Sequence, residues 1–270
     1  MSAEPLPGTA RVPVVRHSAV AAPLSSASAT DLDDVIQEQP VALVYNGLSH
    51  VVMMATPLDL EDLALGFSLS EGLLLSADEL RELTIEPGPL GVSVHLEVSP
   101  RAFARFKDQR RQLTGRTGCG VCGIDSLAAF HASLPTDRVQ ACHEVSVVAL
   151  ARAMRALPGL QTLQAHTGAC HAAGWARPDG SLCLVREDVG RHNALDKLIG
   201  ALVRQGTPTS GGLAVVSSRA SHEMVSKCVH LGMGGMAAIS APTALAIDLA
   251  SRSGLRLFGF CRNDSAVAYA

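Results

Sequence analysis

"LCLVREDVGRHNALDKLIGALVRQGTPTSGGLAVVSSRASHEMVSKCVHLG" (residues 182–232) changes its hydrophobic period three times. LCLVRED reads as a strand, and HNALDKLIGALVRQG as a helix closed by Gly206. GGLAVVSS is a second strand, and SHEMVSKCVHLG a second helix stopped by glycine. GMAAISA and PTALAIDLASRSG repeat the pattern, and LRLFGFCR finishes it. Strands alternating with short helices predict an α/β fold in which a parallel or mixed sheet is covered by helices.

Upstream the pattern is different. Order is expected to begin near Asp31, and PVALVYNGLSHVVMM places two apolar runs around Asn46-Gly47, a hairpin signal because both residues tolerate positive φ. TPLDLEDLALGFSLSEGLL predicts a helix with Thr56 as N-cap and Pro57 in its first position. Leu60, Leu63, Ala64 and Phe67 share one face at helical spacing. LRELTIEPGPLGVSVHLEV reads as a second hairpin turning between Pro87 and Gly91. The expected organisation is therefore a tail over residues 1–30 and a small α+β unit over 31–100. A basic helix with a cysteine loop follows over 101–124, then the α/β domain over 125–270.

A chain of 270 residues suffices for one large domain or two modest ones. A net charge of -3 and a pI near 6.3 argue against nucleic acid or an anionic membrane as the main partner. Aromatics are only 3%, so Ala, Val, Leu and Ile must build the core, as in α/β packing. Seven cysteines, an odd and mostly scattered set, predict a reducing cytoplasm. The first 30 residues, rich in Ala, Ser and Pro, lack the basic start and unbroken apolar run of a signal peptide. No segment approaches the uninterrupted apolar length of a membrane-spanning helix.

Two constellations carry chemistry. The first is TGRTGCGVCGIDS (residues 114–126), where Cys119 and Cys122 sit among glycines after RAFARFKDQRRQL. Arg101, Arg105, Lys107, Arg110, Arg111 and Arg116 surround a single acid, Asp108, and read either as a solvated face or as support for a thiolate. Structural zinc needs four ligands, and there is no second CxxC. His166 and His171 are five apart, and no proline precedes Cys119 to make the P-C-x-x-C of zinc deaminases. A thioredoxin-like dithiol would follow a strand and start a helix. A glycine-flanked loop suits a thiol that travels, so a carrier of persulfide sulfur joins metal half-site, redox dithiol and plain loop thiols as a reading.

The second constellation is a set of strand-to-helix turns. It comprises Glu187, Asp188, Gly190, Arg191, His192 and Asn193, then Ser217, Ser218, Arg219 and Ser221, then Ser240 and Thr243. Ligands of open α/β sheets bind outside the carboxyl ends of the strands, and helix N-termini attract anions. Arg191 and Arg219 could clamp phosphate bidentately. Helix capping by Ser and Asn is the competing explanation. AHTGACHAAGW adds His166 and His171, each a candidate for acid/base work or a hydrogen-bonded core histidine.

QPVALVYNG, MMATPLDLEDLALGFSLSEGLL, GCGVCG, EDVGRHNALDKLIG, SSRASHEMVSKC, SAPTALAIDLA and LFGFCR stand in the order seen in the FdhD/NarQ family, which the chain resembles over about residues 35–269. The resemblance implies a formate dehydrogenase accessory sulfurtransferase with a cytidine-deaminase-like three-layer α/β/α domain. It implies a cytoplasmic homodimer that takes persulfide sulfur from a cysteine desulfurase. The acceptor would be the molybdenum (or tungsten) bis(molybdopterin guanine dinucleotide) cofactor destined for the formate dehydrogenase apoenzyme, bound as substrate. No intrinsic metal is implied. The family's persulfide cysteine falls on Cys119, and Cys122 matches the second of the pair. Its cofactor contact falls on Phe260, Cys261, Arg262, Asn263, Asp264 and Ser265, to which the turn residues Arg191, His192, Arg219 and Ser221 are added. Ser218 stands where the family favours glycine, and Cys261 is an extra thiol. A non-catalytic cofactor-binding chaperone is the second reading, and a zinc hydrolase of the related fold the third.

Overall fold

The computed structural model describes residues 5–16, 30–111, 139–140, 142 and 145–270. Cys119 and Cys122, with most of the expected cysteine loop, lie outside the described residues. Strand β1 (Thr9–Val15) pairs antiparallel with β2 (Thr30–Ile36), Thr9 facing Ile36 and Val15 facing Thr30. The expectation of an unstructured tail up to residue 30 is thus corrected for 9–15. Arg11 bonds both oxygens of Asp34 across the ladder, a cross-strand pairing that local composition does not reveal.

Strands β3 (Gln39–Tyr45) and β4 (Leu48–Ala55) form the hairpin, with Asn46 and Gly47 at φ 43° and 79°. Helix α1 (Leu60–Ser70) and strands β5 (Leu80–Gly88) and β6 (Gly91–Val98) complete a sheet of order β4-β3-β6-β5. Alternate residues Val41, Leu43, Tyr45, Val92, Val94 and Leu96 point to one face. There they meet α1 together with Ala102 and Phe106 of helix α2 (Pro100–Arg111). The basic helix is therefore anchored in the N-terminal core, and its Arg105 is bound to Glu79 instead of standing open. Thr56 does not cap α1. Asp59 occupies the N-cap position at φ 50°, while the Thr56 hydroxyl accepts the amide of Val189, far away in sequence.

The second sheet is flanked by α3 (Val147–Ala156), α4 (Thr162–Thr167), α5 (Arg191–Arg204), α6 (His222–His230) and α7 (Ala244–Ser253). Its strands are β7 (His171–Ala176), β8 (Leu182–Asp188), β9 (Leu213–Val216), β10 (Gly235–Ala238), β11 (Arg256–Arg262) and β12 (Ser265–Ala268), in spatial order β12-β11-β10-β9-β7-β8. β9, β10 and β11 run parallel, β7 runs against both neighbours, and β12 returns against β11. The mixed sheet is as the alternating pattern predicts. Period two divides the core. Ala214 and Val216 face α5, α6 and α7, whereas Leu213 and Val215 face α3. The result is three layers, α/β/α.

The two sheets are held together by α1 against α5. A Cβ on Gly66 would lie 1.8 Å from the Asp196 carbonyl oxygen, and one on Gly200 2.0 Å from that of Asp62, so the helices cross in backbone contact. Around this crossing Asp62 accepts from Arg186 at 2.9 Å and Arg204 at 2.7 Å. Asp196 accepts from Ser70 at 2.6 Å and from Lys227 at 3.0 Å, and Lys227 also reaches Glu71 at 2.8 Å.

Candidate functional site

Because β7 opposes β8 and β9, its first residue lies at the sheet edge where the other strands end. His171 faces Asp188 in register, and Ala173 faces Val216. The β8–α5, β9–α6, β10–α7 and β11–β12 turns share that edge. Ala220 and Pro242 form a bridge between two of them, and the Phe260 amide donates to the Ser240 carbonyl at 3.1 Å. The topology thus gathers residues spread over ninety positions of sequence along one edge.

Asp188 fixes the first turn. It is fully buried and paired with Lys197 at 2.7 Å. One oxygen accepts the Thr56 amide, and the other accepts the Gly190 amide and the Asn193 side chain. Lys197 completes its donors on the carbonyls of Thr56 and Glu187. Neither group has capacity left for a ligand. Asn193 is similarly occupied, since its amide nitrogen also donates to the Met54 carbonyl at 2.8 Å.

Arg191 and His192 lead α5 outward from this anchor. The N-cap of α5 is Gly190, with no side-chain cap, and Ser221 at the start of α6 does not bond its helix amides either. Ser221 instead donates to Glu223 at 3.2 Å, and His192 Nε2 meets the same carboxylate at 3.1 Å. The hydrogen bond from His192, with support from Ser221 and the charge of Arg191, holds the Glu223 carboxyl below its ordinary range. Among the described residues Arg191 Nε is buried without a partner. The capping explanation therefore holds at α7, where Thr243 accepts the Ala246 amide, but not at α5 or α6. Two helix N-termini and a guanidinium with an unused donor make this stretch anion-receptive.

Arg219 is exposed on the neighbouring turn, whereas Ser218 is buried and donates to the Arg219 carbonyl. Asn263 and Asp264, at φ 51° and 58°, make the two-residue turn into β12, and Arg262 opposes Ser265. Phe260 holds φ 50°, a conformation unusual for an aromatic residue, with the Arg262 guanidinium 5.6 Å from its ring centre. Asp264 is bonded to Arg155. Cys261 differs from the expectation. Its strand alternation turns it inward against the α3 layer, where burial pushes its thiol up to about 11. It is a core residue, not an edge contact.

His171 stands at the edge beside Ser217, but His166 does not, as its ring bonds the Thr162 carbonyl on α4. Sequence reasoning missed Lys197 and Glu223. Glu223 lies within SSRASHEMVSKC, two residues after Ser221, whereas Lys197 reads as an ordinary polar helix residue. Among the described residues no three His, Cys, Asp or Glu side chains could hold a metal ion, and no helix is long and apolar enough to cross a membrane.

These features define an α/β/α protein whose anion-receptive sheet edge is assembled from strand-end turns. The FdhD/NarQ family model matches residues 36–270, and the chain belongs to that family. It is 52% identical over 238 residues to the sulfur carrier protein FdhD of Cupriavidus necator, covering 88% of this chain and 82% of the relative. The FdhD of Chromobacterium violaceum is 49% identical over 264 residues, covering 97% and 95%. A crystal structure from Desulfotalea psychrophila, assigned as a formate dehydrogenase accessory protein, superposes with a TM-score of 0.68 at 22% identity, over 96% of this chain and 95% of that one. This last likeness concerns the fold.

Proposed function

We propose that the protein is a sulfur carrier in formate dehydrogenase maturation, accepting sulfur on Cys119 and delivering it to a molybdenum (or tungsten) bis(molybdopterin guanine dinucleotide) cofactor held as substrate at the sheet edge. The observation that carries the binding half is the buried, unpartnered Arg191 Nε between the uncapped starts of α5 and α6. Diphosphate is the part of such a cofactor that this arrangement fits, because free amides and a guanidinium bind spread anionic charge. Arg219 and His192 would flank it, with Phe260 and Arg262 to Ser265 beside them on the next turn. Relatives that carry the sulfur-carrier name support the transfer half.

In the transfer, the Cys119 thiolate takes the outer sulfur of a cysteine desulfurase persulfide, and the desulfurase thiol is the leaving group. Delivery as sulfide needs two electrons. The Cys122 thiolate supplies them by attacking the Cys119 sulfur, releasing HS⁻ and leaving a Cys119–Cys122 disulfide. An external dithiol then resets the pair. The protein would act in the cytoplasm as a homodimer, with the desulfurase and the formate dehydrogenase apoenzyme as partners.

The test is intact-protein mass spectrometry after incubation with a cysteine desulfurase and cysteine. Wild type should gain a sulfur adduct that thiol reductant removes, and Cys119→Ala should not. If Cys119→Ala gains the same adduct, or still matures formate dehydrogenase fully, the carrier assignment fails and a cofactor-binding chaperone takes its place.

A further inference from the structure

His171 is built into the edge in a way that anion binding by Arg191 alone does not use. Ser217 Oγ accepts the Ala172 amide at 2.8 Å and lies 3.5 Å from His171 Nδ1. The ring is half-buried. Burial first, then the charges of Arg191 and His192 on the start of α5, push its basicity down. Nearby acids are committed elsewhere. Asp188 on the adjoining strand is bound to Lys197, and Glu187 accepts the Leu163 and Gln164 amides of α4. Glu223 of α6 is held by His192 and Ser221, and the neighbouring thiol Cys170 is pushed up to about 11. Among the described residues, His171 therefore faces cations without a carboxylate of its own.

An anion seated against Arg191 reverses that field. We propose that His171 takes up a proton from solvent when a diphosphate binds at Arg191, and so becomes an added cationic contact to the bound group. The inference rests on reading this edge as a diphosphate site. Its consequence is pH-linked affinity. Binding tightens as pH falls through the range in which the imidazole titrates, by up to about tenfold per pH unit for one linked proton.

The experiment is isothermal titration of the full chain with inorganic pyrophosphate, in buffers of different ionisation enthalpy, at about pH 6 and about pH 8. Protons taken up are compared between wild type and His171→Gln. Ionisation of pyrophosphate itself is common to both proteins. At the lower pH wild type should take up more protons than His171→Gln, the difference approaching one, and at the higher pH the difference should vanish. Equal uptake in both overturns the role of His171 while leaving the diphosphate site standing. Uptake lost in His192→Gln but kept in His171→Gln overturns it as well. Failure of wild type to bind pyrophosphate removes the site and the inference together. Should His171→Gln not fold, the His171 imidazole resonance of wild type decides. Its titration midpoint must rise when pyrophosphate is added, and an unmoved midpoint refutes the proposal.

Discussion

Helix α5 has two chemically opposite regions within seven residues. At Asp196 and Lys197 every charge is buried and matched, Asp196 with Ser70 and Lys227 and Lys197 with Asp188. At Arg191 and His192, one turn earlier, the helix has no side-chain cap and a guanidinium nitrogen has no partner among the described residues. Saturated charges hold two sheets together, and an unsaturated donor stands at the helix start. The contrast separates architecture from site more sharply than residue type does, because both regions are equally polar in sequence.

The contrast is most directly broken at Lys197. Lys197→Met leaves Asp188 buried without its cation, and unfolding in urea should show a loss of about 3–5 kcal/mol. A loss below about 1 kcal/mol would mean that the pair is not the anchor described. Next comes the helix crossing. In an open helix Gly→Ala stabilises by up to about 1 kcal/mol. Gly200→Ala should instead lower the thermal midpoint, with overpacking costing about 1–3 kcal/mol, since its Cβ would meet the Asp62 carbonyl.

Acidification should produce a smaller effect of definite sign. His171 and His222 both have folded-state values pushed below the ordinary one, mainly by burial. The unfolded chain then binds more protons, so stability is retained above about pH 6.5 and falls below it, by at most about 1.4 kcal/mol per pH unit for each group. Urea midpoints at two pH values would measure it, and a midpoint that rises on acidification would contradict the arrangement around His171. Glu223→Gln should change least. Its partner His192 is 27% exposed and Glu223 itself 29%, against 0% for both Lys197 and Asp188. Its effect on stability should stay within about 1 kcal/mol in the same unfolding assay.

The stretch from β8 onward was legible because each strand–helix change carries its own period and α5, α6 and α7 each end close to a glycine. β7 escaped because HAAGWA is buried on both faces and consists largely of small residues, so nothing alternates. β1 escaped because its partner among the described residues is β2, across a stretch of sequence that looks like tail. Thr56-Pro57 looked like a helix start, yet the Thr56 hydroxyl is taken by Val189, a contact that exists only after the two sheets meet. Among the site residues, Arg191, His192, Arg219 and Ser221 could be placed at strand ends by pattern alone. Cys261 could not be assigned correctly, since a strand residue's facing depends on register, and register here depends on β12. The buried acids and lysines were illegible for the same reason. Asp62, Asp196, Lys197 and Lys227 each sit on a helix face that reads as solvated until a second helix covers it.

The close crossing of α1 and α5 bears on how the chain is made. Ser70 and Asp196, which meet there, are 126 positions apart. A ribosome therefore releases α1 long before its cover exists, and the groove at Gly66 must wait, wetted and open, through about half of synthesis. Contacts of such sequence separation form late in folding. The nascent N-terminal half is thus the period in this protein's life when a holdase chaperone has most to protect.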